Sequence, residues 1–322
     1  MEAIVALIKD DLEQVEAECK HRLVSRVPLI TTVAEHLVLG GGKRFRPILL
    51  LLSAKLCDYQ GKDHIPLAVI IEFIHAATLL HDDVIDQAEV RRGSASANTL
   101  WGNEASVLVG DFLYTRSLDM AVQIGDLRIL QTLAVATTAM AEGEAMELVR
   151  TADLAVTEEE NLELIVNKTA MLISCAVRIG AILGNEREEV EAALADYGLN
   201  VGIAFQLVDD CLDYVGHKEL LGKAPRSDLR EGRVTLPLIH ALRHCTSEER
   251  KRIQQVVLSK EFATDGWGKV LTIVNAHGGI DYTLTRAQQH VEKARRSLVN
   301  LPACPEREAL MKAADYVIER RS

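Results

Sequence analysis

At 322 residues, 48% hydrophobic and 26% charged, the chain has the composition of a soluble globular protein with apolar material for one large core. Its net charge of −11 and pI near 5.4 argue against nucleic acid as a partner, so an anionic substrate would have to be drawn in by metal ions or local basic clusters. The six cysteines (Cys19, Cys57, Cys175, Cys211, Cys245 and Cys304) form no Cys-x-x-Cys pair, which speaks against a zinc site or disulfide framework and for a reduced, cytoplasmic protein.

The chain opens at Met1-Glu2-Ala3 with an acidic amphipathic helix and without a basic-then-apolar leader. No proline occurs between Pro66 and Pro225, and the stretch between them is rich in Ala, Leu, Val, Ile and Glu. Proline breaks helix interiors and these residues favour helix, so the pattern predicts an all-α fold. No Pro/Gly/Ser-rich linker interrupts it, and a single large helical domain over 1–322 is expected. The most apolar runs, 47–56 and 67–80, are short for a membrane span, and the second contains Glu72 and His75.

The first motif is Gly40-Gly41-Gly42-Lys43-Arg44-Phe45-Arg46-Pro47. A Walker loop would need glycine at position 37 and Ser or Thr after the lysine, but Leu37 and Arg44 stand there. What is left is a flexible turn, a set of cations, and Pro47 suited to the first position of a new helix. Such a segment is either an anion site beside a helix N-terminus or a solvated basic loop.

The segment 67–86 reads as a central helix, apolar on most sides, that ends in Asp82-Asp83-x-x-Asp86. Asp82 and Asp86 share a helical face, and His75 falls on the same stripe. Arg91-Arg92-Gly93 follows; its cations either serve a ligand or pair with the aspartates. Gly110-Asp111-Phe112-Leu113, Ala141-Glu142-Gly143-Glu144 and Asn167-Lys168-Thr169-Ala170 come next, and Lys168 could reach a buried anion or carbocation site. A second apolar helix then carries Gln206 and Asp209-Asp210-x-x-Asp213, with Asp209 and Asp213 on one face. Two like charges about 6 Å apart repel by roughly 3 kcal/mol at an effective dielectric near 20. Six such carboxylates therefore call for a cation, and an all-oxygen donor set suits Mg²⁺. The stretch 222–237, with Lys223, Asp228, Arg230 and Arg233, is either a loop folding over a site or a charged connector.

Taken together, 41–47, 79–86 with Arg91-Arg92-Gly93, 110–113, Lys168-Thr169 and 205–214 resemble the trans-isoprenyl diphosphate synthase family, and its medium- to long-chain, octaprenyl-type branch in particular. The resemblance implies a helical bundle of the isoprenoid synthase type with a central active-site cavity. It also implies condensation of isopentenyl diphosphate units onto an allylic primer such as farnesyl or geranyl diphosphate. By this resemblance Asp82, Asp83, Asp86, Asp209, Asp210 and Asp213 hold Mg²⁺ and, with Lys168, form the catalytic set. Lys43, Arg46, His75 and Arg92 bind isopentenyl diphosphate, while Arg91, Lys168, Thr169, Gln206 and Lys223 contact the allylic substrate. Short-chain members block the hydrocarbon path with an aromatic residue just before the first motif. Ala77 and Thr78 are small and leave that path open, which implies a long product. A homodimer and transient membrane association for product release are further expectations. Glu147 stands where long-chain relatives commonly carry Gln, and Arg233-Val234 stands where Lys-Pro is common. Rival readings are a shorter-chain synthase, a terpene cyclase, an HD-type phosphohydrolase suggested by His81-Asp82, and a noncatalytic subunit.

Overall fold

The computed structural model describes residues 1–215, 227–259 and 266–319. They are almost wholly helical, as the proline-poor, strand-poor sequence predicts; a two-stranded hairpin, Val90–Arg91 with Ser94–Ala95, is the sheet among them. The chain divides into two compact units, each discontinuous in sequence. The first comprises Met1–Thr138, Leu172–Gly198 and Arg295–Ala313; the second comprises Ala139–Met171, Leu199–Ala294 and Ala314–Ser322. Since neither unit is one stretch of chain, no linker between them could be read from composition.

The first unit is organised on the helix His64–Ile85, whose residues are buried on nearly every side from Leu67 to Leu80. Helices Lys9–Arg22, Phe45–Leu56 and Asn103–Ile124 pack against it. Phe45–Leu56 begins two residues earlier than expected, so Pro47 lies inside the first turn, where its missing N–H costs no intrahelical bond. Ser53 in this helix donates to the Val177 carbonyl at 2.6 Å, and a Cβ at Gly180 would stand 2.4 Å from Ser53 Oγ. The approach of helix Met171–Leu183 thus depends on that glycine.

Length does not distinguish the apolar run 67–80 from a membrane span, because the helix containing it has 22 residues and, like the 26-residue helical stretch Glu158–Leu183, is long and apolar enough to cross a bilayer. In each, 67% of the apolar window is buried inside the protein, and this burial marks both as core helices.

The second unit places helix Ala139–Val149 (the later part of Leu127–Val149) against the turn of π-helix Val166–Ala170. A Cβ on Gly143 would lie 2.7 Å from the Lys168 backbone nitrogen, and one on Gly202 would lie 2.5 Å from Ala170 Cα. Glycine at both positions lets two helices close on this widened turn. Elsewhere Glu158 ties three helices together, accepting from Tyr282 Oη at 2.8 Å and Arg286 Nε at 2.9 Å and pairing with Arg243.

Arg44 anchors the first unit from inside. It donates to Glu16 at 2.6 Å, to Glu72 at 2.7 Å and to the Val38 carbonyl at 2.6 Å, and its side chain is only 10% exposed. Removing one partner of a buried pair strands the other charge, at about 3–5 kcal/mol. Arg44→Met is expected to lose stability of that order, read from the urea unfolding midpoint; a loss under about 1 kcal/mol would show that Glu72 is not held by this contact.

Candidate active site

In the first unit the basic loop and the first acidic motif meet around a hairpin turn. Arg92 and Gly93 form its corner, both with positive φ (51° and 79°), the conformation a two-residue turn of this hand requires. The turn sends its two arginines to different partners. Arg91 donates through Nε to Asp83 Oδ1 at 2.8 Å, and its Nη2 reaches the same oxygen. Arg92 donates to the Leu37 carbonyl at 3.3 Å and to the Gly41 carbonyl. A Cβ on Gly42, itself at φ 142°, would sit 3.1 Å from the Arg92 guanidinium. Gly41 and Gly42 therefore seat Arg92, while a Cβ at Gly40 would meet the His36 carbonyl at 2.3 Å, and a phosphate loop is not needed to explain the run.

Lys43 is exposed on this loop and Arg46 is half-buried. Arg44 stands between them at φ 49° with its side chain turned inward to Glu16 and Glu72. Sequence reasoning counted Arg44 as one more cation of the loop; its inward turn depends on Glu16, far off in sequence. His75 lies within the field of Arg46, Arg92, Arg91 and Arg44. Burial first, and these four cations next, hold its pKa well below the ordinary 6.5. Burial also presses the Arg92 guanidinium downward, opposed by Glu72 and assisted by Arg44 and Arg91. Cations that repel one another this closely favour an anion among them.

The three aspartates of the first motif are not alike. Asp83 is wholly buried and committed to Arg91; burial raises its carboxyl pKa, with Arg91 opposing and Asp86 adding to the rise. Asp82 and Asp86 are half-buried, at the C-terminal end of His64–Ile85, with Asp86 as its C-cap. The last carbonyls of a helix carry partial negative charge, so carboxylates there are doubly disposed to a cation. His81 turns away to the helix Asn103–Ile124. Its Nε2 lies 3.3 Å from the Val107 carbonyl and 3.4 Å from Asp111, and a Cβ on Gly110 would overlap the ring at 2.3 Å. This packing explains the Gly-Asp pair at 110–111, and it gives His81 a role other than the metal ligation of an HD-type hydrolase. Of the predicted chain-length positions, Ala77 is buried and Thr78 is half-buried, its hydroxyl donating to the His75 carbonyl at 2.9 Å.

The second unit repeats the pattern. Asp209, Asp210 and Asp213 lie in the last two turns of Glu188–Val215. Asp213 is wholly buried and accepts from the Asp228 backbone N–H at 3.2 Å. Asp210 is also buried and accepts from Gln206 Nε2 at 2.8 Å; Gln206 Oε1 in turn accepts from Thr169 Oγ1 at 2.9 Å. Only Asp209 is half-buried. The structure thus joins Thr169 to Gln206 and, through it, to Asp210. Lys168 Nζ lies 2.8 Å from Glu144 and also contacts Glu147. Lys223 lies outside the described residues. Within neither motif do three carboxylates, or any three His, Cys, Asp and Glu among the described residues, converge on one point.

The comparisons agree with this architecture. The polyprenyl synthetase family profile matches residues 27–273. The chain belongs to that family. It is 42% identical to the octaprenyl diphosphate synthase of Escherichia coli K12 across 99% of both chains. The crystal structure of a polyprenyl synthase from Caulobacter crescentus CB15, complexed with calcium and isoprenyl diphosphate, superposes with a TM-score of 0.96 at 39% identity, covering 100% of this chain and 98% of that one. A decaprenyl diphosphate synthase from Rhodobacter capsulatus gives a TM-score of 0.94 at 40% identity over 99% and 98%. The protein is accordingly a prenyltransferase with the isoprenoid synthase helical fold, of the medium- to long-chain trans-polyprenyl diphosphate synthase class. The cyclase, hydrolase and noncatalytic readings fall away.

The lowered His75 pKa sets a pH dependence. The native ring stays neutral where the unfolded ring, near 6.5, takes a proton. Its contribution to stability is therefore fully present above pH 6.5 and is lost as pH falls below that value. His75→Gln is expected to flatten the decline in unfolding free energy between pH 6.5 and about 5, measured by urea titration at each pH. An unchanged slope would remove His75 from this cluster.

Proposed function

We propose that the chain makes an octaprenyl-class all-trans product by adding isopentenyl diphosphate units to an allylic diphosphate primer. The observation that carries this reading is the repeated design of the two acidic motifs. Each ends a long helix that is mostly buried where it approaches the motif, gives its buried aspartates protein donors, and leaves half-buried carboxylates at the negative end of the helix. Asp82, Asp83 and Asp86 in one unit and Asp209, Asp210 and Asp213 in the other would hold Mg²⁺, with the half-buried Asp82, Asp86 and Asp209 the most accessible to it. They offer only oxygen donors, and the shortage of convergent protein ligands suits an ion that keeps water and takes substrate oxygens. When bound, such ions supply charge neutralisation of the departing diphosphate.

The chain's own residues account for the rest. Lys168 and Thr169 present an ammonium and a hydroxyl to the allylic diphosphate, with Thr169 steadied by Gln206. Lys43, Arg46, His75 and Arg92 form the anion seat for isopentenyl diphosphate, where a neutral His75 donates or accepts without adding charge. The allylic C–O bond breaks with its electron pair on the leaving diphosphate. The isopentenyl double bond then attacks the allylic cation, and the proton lost from the adduct goes to the released diphosphate. Small side chains at Ala77 and Thr78 leave room for the growing hydrocarbon.

Purified protein with Mg²⁺, labelled isopentenyl diphosphate and each common allylic primer is expected to give long products, sized after dephosphorylation. Asp82→Ala and Asp209→Ala should each reduce elongation by at least about 10³-fold with the helical signature retained. Ala77→Tyr should shorten the product. Elongation surviving both aspartate changes would sink the assignment, and an unaltered product ladder in Ala77→Tyr would sink the path beside that helix.

A homodimer is part of the same proposal. Val107, Leu108, Tyr114, Leu118 and Val122 are exposed by 39%, 64%, 41%, 56% and 58%. Their spacing puts them on one face of Asn103–Ile124, with exposed Leu127 and Val135 following in the next helix. A stripe this apolar favours a second copy over water. Leu108→Glu with Leu118→Glu is expected to halve the mass seen by sedimentation; a wild-type chain that sediments as a monomer would refute the dimer.

A further inference from the structure

Glu147 lies in the second unit and belongs to neither acidic motif, yet it touches both cations near the second one. Its Oε2 contacts Lys168 Nζ, and its Oε1 lies 3.3 Å from Arg233 Nε. Lys168 has a second carboxylate in Glu144 at 2.8 Å, while Arg233 also faces Glu231 at 3.3 Å and Asp228 at 3.8 Å. The side chains of Glu147, Lys168 and Arg233 are 16%, 20% and 19% exposed, so water screens these charges only in part.

The positions follow from the fold. Gly143 brings the helix Leu127–Val149 against the π turn, because any side chain there would meet the Lys168 backbone nitrogen. Glu144 and Glu147 are then one helical turn apart beside the Lys168 ammonium. The Arg233 amide is fixed by the Asp228 carbonyl at 2.8 Å, which brings its guanidinium to the other oxygen of Glu147. Among the described residues, Lys168 and Arg233 thereby stand beside four carboxylates: Glu144, Glu147, Asp228 and Glu231.

We infer that Glu147 is a positioning residue that holds Lys168 in a counter-ion lock, which the allylic diphosphate must displace in order to bind. The inference rests on the assignment of Lys168 to that diphosphate. With Glu147 engaged, Lys168 is ordered but electrically spent, so binding proceeds by exchange of one anion for another. The same exchange run backwards returns the lysine to Glu147 when diphosphate leaves. Arg233 weakens the lock by drawing on the other oxygen of Glu147.

Opposite effects of two substitutions test this. Glu147→Gln keeps the shape and removes the charge. It is expected to lower the KM for the allylic diphosphate about three- to tenfold, leaving the KM for isopentenyl diphosphate within about twofold. Calorimetry with an unreactive allylic thiodiphosphate should show a matching gain in affinity. Arg233→Gln concentrates Glu147 on Lys168 and should raise the allylic KM. General damage to the fold would weaken binding in both variants, and an allylic KM that is unchanged or raised in Glu147→Gln overturns the lock. Lys168→Ala separates the two readings. If it raises the allylic KM about tenfold or more while Glu147→Gln has no effect, the lock alone fails. If Lys168→Ala leaves the allylic KM unchanged, the assignment of Lys168 fails and the lock fails with it.

Discussion

The structure is governed by the cost of gathering negative charge at the C-terminal ends of apolar helices. Carboxylates at such an end add to the partial charge of the last carbonyls, and burial denies them the water that would offset it. Each unit meets this cost by dividing the labour within its motif. The buried members are given protein partners: Arg91 for Asp83, Gln206 for Asp210, the Asp228 amide for Asp213. The half-buried members, Asp82, Asp86 and Asp209, are kept where an outside cation can reach them. A motif that looks uniform in sequence thus sets its members in two different environments.

Much of this was legible beforehand because it depends on local rules. The absence of proline across a long Ala/Leu/Glu-rich stretch predicted helices, and helical periodicity put Asp82 with Asp86 on one face. The signatures around Thr169 and Gln206 were likewise readable, and these two residues do meet. What could not be read were pairings across sequence distance. Arg44 looked like part of a basic loop, but Glu16 and Glu72 draw it inward. The bland reading of Arg91-Arg92 as partners for the aspartates holds for Arg91, while Arg92 goes to the glycine loop. The start of the helix at Phe45 also escaped, since proline is tolerated throughout a first turn and marks it only loosely.

The glycines carried more information than their turn propensity suggested. At Gly110, Gly143, Gly180 and Gly202 the backbone is helical, and the reason for glycine is a neighbour: the His81 ring, the Lys168 backbone, Ser53 and Ala170. A signal was available in sequence, because glycine in a helix interior is destabilising by about 0.5–1 kcal/mol relative to alanine and needs a compensating contact. Which contact it is depends on the tertiary fold alone.

The overall charge of −11 would seem ill-suited to substrates that are themselves anions. Screening resolves the conflict. At physiological ionic strength the Debye length is about 8 Å, so charges on distant surfaces contribute little to the field at a binding site. In the first unit Arg46, Arg92, Arg91 and Arg44 surround His75 and, after burial, help to hold its pKa down. In the second unit the near field is less welcoming, because Glu144 and Glu147 already balance Lys168. Under the proposed assignment one anion seat would be open by its own charge, while the other would exchange a carboxylate for the incoming diphosphate. That asymmetry follows from a few side chains within screening distance, and the net charge of the chain has almost no part in it.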